Sequence, residues 1–193
     1  MDQFVITIAR GFGSGGRTMG ERLAKDLHVN YYDKELSRIA SEESGIHEGL
    51  FGIADEKVKK TFFKKKNDLT SEENLFQFQS EAIKNLAEKE SCIIVGRCAD
   101  YVLRGNRNVI RVFIYADEEA CVKEVVERFG LSQRDAEKKI EAIDRERSTY
   151  YKHHTGNDWD CARNYDLCLN SGELGFDKCI EIIKAYMEVK SKK

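Results

Sequence analysis

Five short apolar runs punctuate the chain, and helical stripes separate them. Phe4–Ala9 (FVITIA) is the first, rich in β-branched residues. Apolar positions then recur at Met19, Leu23 and Leu27, which is one face of a helix. Val29–Tyr32 predicts a second strand ending in Asp33, and Lys34–Ser44 a helix. Thr70-x-x-Glu73 forms a capping box, which predicts a long helix from there to about Lys89. Cys92–Val95 (CIIV) is apolar throughout, as a strand covered on both faces requires, and Gly96-Arg97 ends it. Val109–Tyr115 predicts a fourth strand. Asp117 opens a helix that stops at Gly130, and Ser132 opens a highly charged helix to about Tyr151. Asp166–Leu169 predicts a fifth strand, and Phe176–Val189 a terminal amphipathic helix.

A β–Gly loop–α–β opening, continued by alternating strands and helices, predicts the α/β class. The expected core is a five-stranded parallel sheet with helices on both faces. At about 150 residues per domain, the whole of 1–193 reads as one domain. Two helical segments are inserted in it, at about 45–88 and about 131–163. In open parallel sheets ligands bind at the carboxyl ends of the strands. That singles out Gly11–Thr18, Asp33, Gly96-Arg97 and Asn170-Ser171.

Composition narrows the function classes. Lys and Arg number 32 against 34 Asp and Glu, a formal charge of −2, which argues against a general nucleic-acid coat. No apolar run exceeds five residues (Val112–Ala116), too short to span a bilayer, and the start Met1-Asp2-Gln3 does not read as a signal peptide. The six cysteines form no CxxC pair and no zinc-finger spacing with histidine, so a reducing cytoplasm without disulfides or structural metal is expected. The lysines between Lys57 and Lys66 read as a solvated face, and His153-His154 have no partner at metal spacing.

The glycine loop fits two templates. Gly11-Phe-Gly13-Ser14-Gly15-Gly16-Arg17-Thr18 matches a phosphate-binding loop in which Arg17 replaces the usual lysine. Backbone N–H groups and a helix N-terminus would cradle phosphates, and the Thr18 hydroxyl would ligand Mg²⁺. The same stretch contains Gly11-x-Gly13-x-x-Gly16 with Asp33 some twenty residues on, the dinucleotide fingerprint. Arg97 follows a buried strand and can project over the sheet edge to hold a phosphate bidentately. On the charged helix, Arg145 and Arg147 lie about 200° apart, while Asp144 and Arg147 share a face. No Ser-His-Asp, Cys-His or paired-carboxylate set is evident. Phosphoryl transfer needs none, because positioning and charge stabilisation dominate it.

Taken together, ITIARGFGSGGRTMGERLAKDL, YYDKEL, IIVGRCADYVL, DRERSTYYKHHTGNDW and YDLCLNSGELG resemble the cytidylate kinase-like proteins of the P-loop nucleoside monophosphate kinase group, across essentially the whole chain. The resemblance implies a P-loop NTP hydrolase-like three-layer sandwich, an acceptor-binding helical insert and an arginine lid. It implies transfer of the ATP γ-phosphate to a nucleoside monophosphate, with CMP or dCMP favoured and Mg²⁺ required. Carried over by motif, Gly11, Gly13, Ser14, Gly15, Gly16, Arg17 and Thr18 hold ATP and its metal, and Asn170 and Ser171 lie beside the adenine. Asp33, Arg97, Asp144 and Arg147 serve the acceptor, and Arg17, Arg145 and Arg147 the transfer. The chain departs from the family pattern at Arg17, at Val95, where an acid precedes Gly-Arg, and at Cys98, where an aspartate helps to read cytosine. A kinase for another small metabolite, and a nucleotide-binding module without turnover, remain alternatives. The expected partner is a small nucleotide, not nucleic acid or membrane.

Overall fold

A computed structural model describes residues 3–48 and 71–192. The lysine run, Thr70 and residues 49–70 of the expected insert at about 45–88 lie outside the described residues. The strands are β1 (Val5–Arg10), β2 (Asn30–Tyr32), β3 (Cys92–Val95), β4 (Val109–Tyr115) and β5 (Leu167–Asn170). They form one parallel sheet in the order β2-β3-β1-β4-β5. The helices are α1 (Gly16–Leu27), α2 (Glu35–Ser44), α3 (Glu72–Lys89), α4 (Ala99–Val102), α5 (Glu118–Phe129), α6 (Gln133–Thr155) and α7 (Ser171–Ser191), with a 3-10 turn at Ala162–Asn164.

Both faces of the sheet are covered, so the central strands carry no polar face. All six residues of β1 are buried. Ile6 and Ile8 point to one face and pack with Met19 and Leu23 of α1 and Ile180 and Ile183 of α7. Val5 points to the other face, where Cys92 and Ile94 meet Leu36 of α2 and Ile83 and Leu86 of α3. Each large side chain buried in this way contributes roughly 1.5–3 kcal/mol. Three layers follow from the period-2 alternation of residues that are apolar on both sides.

The helix boundaries follow local chemistry. Ser71, not Thr70, is the N-cap of α3, its side chain accepting from the N–H of Asn74 at 3.3 Å. Ser132 caps α6 as expected, accepting from the N–H of Asp135 at 3.2 Å. Helix α6 continues to Thr155, beyond the expected end near Tyr151. Helix α7 begins at Ser171 but is broken at Gly175, so its long apolar stripe starts at Phe176, as the sequence pattern indicates.

Strand order decides between the two readings of the glycine loop. A dinucleotide fold places β2 beside β1, in the order 3-2-1-4-5-6. Here β3 lies between β1 and β2, which removes the dinucleotide alternative. The chain leaves β1 toward one edge of the sheet and leaves β4 toward the other. The carboxyl ends of β1 and β4 are therefore the switch point where a ligand crevice forms.

Candidate active site

The glycine loop lies across that switch point. The N–H of Gly11 donates to the carbonyl of Ile114 at 2.9 Å, and the Ser14 hydroxyl donates to the same carbonyl at 3.1 Å. Glycine is required in the loop on two counts. Gly13 and Gly15 have φ of 86° and 75°, in the left-handed region. A Cβ on Gly13 would stand 2.7 Å from the carbonyl oxygen of Cys121, and one on Gly15 2.2 Å from the Phe176 ring. Gly15 offers no side-chain cap to α1, and the first turn of α1 carries no acid. The positive end of the α1 dipole thus faces the loop without an internal counter-charge on its own helix.

A carboxylate already sits on this loop. The N–H of Phe12 donates to both oxygens of Asp144 on α6, at 2.9 and 3.1 Å. Arg147, one turn along α6, donates from Nη1 to Asp144 at 3.1 Å and to the carbonyl of Arg10 at 3.1 Å. Burial raises the Asp144 pKa, and Arg147 and the Phe12 N–H oppose the rise. The carboxylate oxygens stand where oxygens of an anionic ligand would be received. The loop donors, the glycine cradle and Arg147 therefore fit a polyphosphate chain. Thr18 lies half-buried in the first turn of α1, where its hydroxyl would join a phosphate-bound Mg²⁺. A cavity of about 170 Å³ opens here, lined by the loop, Arg147, Arg128 and the stacked rings of Phe12 and Phe129.

Arg17, which also lines this cavity, turns its guanidinium to the acid after β2. Its Nη2 lies 2.5 Å from Oδ2 of Asp33, whose side chain is only 8% exposed. The hydroxyl of Tyr31 donates to the same oxygen at 3.5 Å. The two residues singled out separately in the sequence thus form one unit.

A second cavity, of about 20 Å³, opens at the carboxyl end of β3. Gly96, Arg97 and Cys98 are three successive left-handed residues, with φ of 77°, 58° and 53°. Two of them are not glycine, and such positions are costly enough to mark functional turns. The turn buries Arg97 to 3% exposure, and its Nη1 donates to the Ser37 hydroxyl at 3.1 Å. Arg10 and Arg147 line this cavity as well as the first. Trp159 closes one side and packs edge-on against Phe113. Asp100, which the sequence analysis did not single out, also lines it. Its only signal in the sequence is its place three residues after Arg97.

The remaining candidates lie elsewhere. Arg145 is on the outer face of α6, its side chain 69% exposed and paired with Glu141. The helical offset separating it from Arg147 is realised, with Arg147 alone of the two turned inward. The Asn170 side chain caps α7 by accepting from the N–H groups of Gly172 and Glu173. The Ser171 hydroxyl bonds the carbonyls of Ser14 at 2.7 Å and Tyr115 at 3.0 Å, bracing the loop from beneath. His154 stacks on Phe76 with centroids 4.1 Å apart. No helix among the described residues is long and apolar enough to cross a membrane.

Comparison with known proteins agrees with this geometry. The structure is similar to a shikimate kinase from Bacteroides thetaiotaomicron, with a TM-score of 0.57 at 16% identity, covering 96% of this chain and 98% of that one. The fold is that of a P-loop kinase. A closer match is the crystal structure of an uncharacterized protein from Eubacterium ventriosum, with a TM-score of 0.75 and 29% identity, covering 96% of this chain and 99% of that one. The model of the cytidylate kinase-like family matches residues 5–173, and the chain belongs to that family. It is also 26% identical over 194 aligned positions to a cytidylate kinase of Methanopyrus kandleri, covering 95% of this chain and 93% of the relative.

Proposed function

We propose that the protein transfers the γ-phosphoryl group of ATP to the phosphate of a nucleoside monophosphate, with CMP or dCMP the first acceptors to test. One observation carries the reading: Arg10 and Arg147 line both the phosphate-loop cavity and the arginine-lined cavity after β3. A guanidinium shared by two anion sites is placed to hold donor and acceptor phosphates together. It would also offset the charge that spreads over the transferring group.

In this reading 1–193 is a single kinase domain, residues about 45–88 form the acceptor insert and about 131–163 form the lid. The loop Gly11–Gly16 receives the β- and γ-phosphates through its N–H groups, and Asp144 yields the Phe12 N–H to them. Mg²⁺, held by phosphate oxygens and the Thr18 hydroxyl, supplies charge neutralisation. Arg97 holds the acceptor phosphate, and Asp33 orients Arg17 at the edge of the acceptor side. Arg145 is carried on the outer face of the lid and reaches the nucleotide only if that helix turns. Asn170 and Ser171 set the floor near the donor base. An acceptor phosphate is already anionic near pH 7 and needs no general base. The work left to the protein is positioning and exclusion of water.

The test is incubation with Mg²⁺, ATP and a panel of nucleoside monophosphates, with ADP and nucleoside diphosphate quantified. A diphosphate product lost in Arg17→Ala supports the proposal. Thermal protection by ATP with no product across the panel overturns it, in favour of another acceptor or a nucleotide-binding module.

A further inference from the structure

Arg147, Tyr150, Tyr151 and His154 form one stripe along α6, since at about 100° per residue they fall within about 100° of one another. Arg147 is at the active-site end, donating to Asp144 and to the carbonyl of Arg10. The other end of the stripe meets α3. The Tyr150 hydroxyl donates to Oε1 of Gln79 at 3.3 Å, and both residues are buried. The His154 ring stacks on Phe76, with centroids 4.1 Å and planes 13° apart. The Tyr150 ring meets both edge-on, its centroid 4.4 Å from that of His154 and 6.2 Å from that of Phe76. Three rings from two helices thus close on one another.

The two helices are anchored differently. The second half of α3 is fixed in the core, where Ile83 and Leu86 pack with Ile94 and Val109 of the sheet. Helix α6 packs at its start on α5, through Ala136 and Ile140 against Val122 and Val125. At its end it packs on Phe76 of α3 and on Cys98 of the acceptor turn. Held at both ends, α6 keeps one rotational setting. That setting leaves the Arg147 side chain 11% exposed and the Arg145 side chain 69% exposed. Stacked and edge-on rings attract beyond the area they bury. Burial holds the His154 pKa down to about 4, so near neutral pH the ring that stacks is uncharged. Nε2 of Gln79 is buried with no hydrogen-bond partner among the described residues, so ring packing carries most of the contact.

We propose that Phe76, Tyr150 and His154 are positioning residues for phosphoryl transfer: their ring seam docks α6 on α3 and so fixes where Arg147 stands between the two phosphate sites. The inference rests on the nucleoside monophosphate kinase reading and adds the contact through which the acceptor insert sets the lid. With the seam intact, Arg147 faces both phosphates. With it loosened, α6 rolls, Arg147 leaves the line of transfer, and water enters. The bond from the γ-phosphorus to the ADP oxygen then breaks toward a water oxygen. ADP and inorganic phosphate form in place of ADP and a nucleoside diphosphate.

His154→Ala and His154→Phe provide the test, since only the second keeps an uncharged ring on Phe76. In His154→Ala, kcat falls about tenfold or more while the KM for ATP stays within about threefold, the split expected when an interaction of the transition state is lost. ADP then exceeds diphosphate product by about twofold or more, where the wild-type protein forms them in equal amounts. His154→Phe brings kcat back to within about threefold of wild type and restores the equal yields. Tyr150→Phe removes only the bond to Gln79 and lowers kcat about threefold, which keeps the inference testable if His154→Ala does not fold. A merely structural role would lower kcat in step with the melting temperature and leave the two yields equal. That result, with product still formed, overturns this inference and leaves the kinase standing. Absence of product from every monophosphate with the wild-type protein overturns the kinase reading, and the docking of α6 is then read from Trp159. This is the one tryptophan of the chain, and it follows α6 and packs against Phe113. A change in its emission on adding Mg²⁺·ATP, lost in His154→Ala and kept in His154→Phe, supports the docking. An equal change in all three proteins, or none in the wild type, overturns it.

Discussion

The backbone N–H of Phe12 bonds both carboxylate oxygens of Asp144, at 2.9 and 3.1 Å, so α6 places a negative charge on the phosphate loop. On the proposed function, the carboxylate and a nucleotide phosphate would compete for this donor, Asp144 giving way to an entering polyphosphate that Arg147 would then contact. Replacing Asp144 by Asn removes the charge and keeps the shape. ATP affinity without acceptor is then expected to rise about threefold to tenfold, while turnover falls. Isothermal titration of both proteins with Mg²⁺·ATP checks this. Weaker binding by the variant would mean that the carboxylate assists the nucleotide instead of competing with it.

Arg17 and Asp33 are expected to act as one unit, because their 2.5 Å ion pair sets where the guanidinium points. Arg17→Ala and Asp33→Asn should each lower kcat at least tenfold, and the double variant should be little worse than the poorer single one. Coupled contacts of this kind show interaction energies of about 0.5–3 kcal/mol. Arg17→Lys should not restore activity, since a point charge cannot reproduce the planar fork. Additive losses across the cycle would show that the two side chains work independently.

Gly15→Ala tests the cradle. Its Cβ would meet the Phe176 ring at 2.2 Å on a backbone of φ 75°. A loss of more than about 2 kcal/mol in urea unfolding is expected, from overpacking and left-handed strain together. Thermal protection by ATP should vanish. Adding Phe176→Ala should recover part of the stability, since the clash is relieved and the backbone strain is not.

His154 makes stability depend on pH. Burial lowers its pKa from 6.5 to about 4, and the neighbouring His153 adds to the effect. The unfolded chain, titrating near 6.5, binds the proton first. The contribution of this group is therefore complete above about pH 6.5 and is lost progressively as pH falls toward 4. The melting temperature of the wild-type protein should fall over that interval more steeply than that of His154→Gln. Parallel curves would show that the ring protonates as readily folded as unfolded.

The parts of the fold that could be read in advance share a physical reason. Cys92–Val95 and Val109–Tyr115 were found as predicted, because strands covered on both faces must be apolar at every position or nearly so. The apolar stripe of the terminal helix starts at Phe176, and the structure breaks the helix at Gly175 just before it. Helix α4 leaves no pattern in the sequence, since four residues carry no periodicity. Ser71 rather than Thr70 caps α3 because adjacent hydroxyl residues are equivalent as caps until the backbone chooses one. Cys168, in the fifth predicted strand, is exposed, because β5 is an edge strand with a neighbour on one side alone.

Local order along the chain determined the glycine loop, the two strands Cys92–Val95 and Val109–Tyr115 and the two-sided placement of Arg145 and Arg147, since each depends only on residue type and on strand or helix geometry. Tertiary structure alone decided that β3 lies beside β1, that Arg17 turns to Asp33, and that Asp144 reaches 132 residues back to Phe12. It also decided that Asp100 enters the cavity of Arg97. These are contacts between charged or polar groups distant in sequence. Hydrophobic periodicity carries no record of them, because their partners are set by which strands the core brings together.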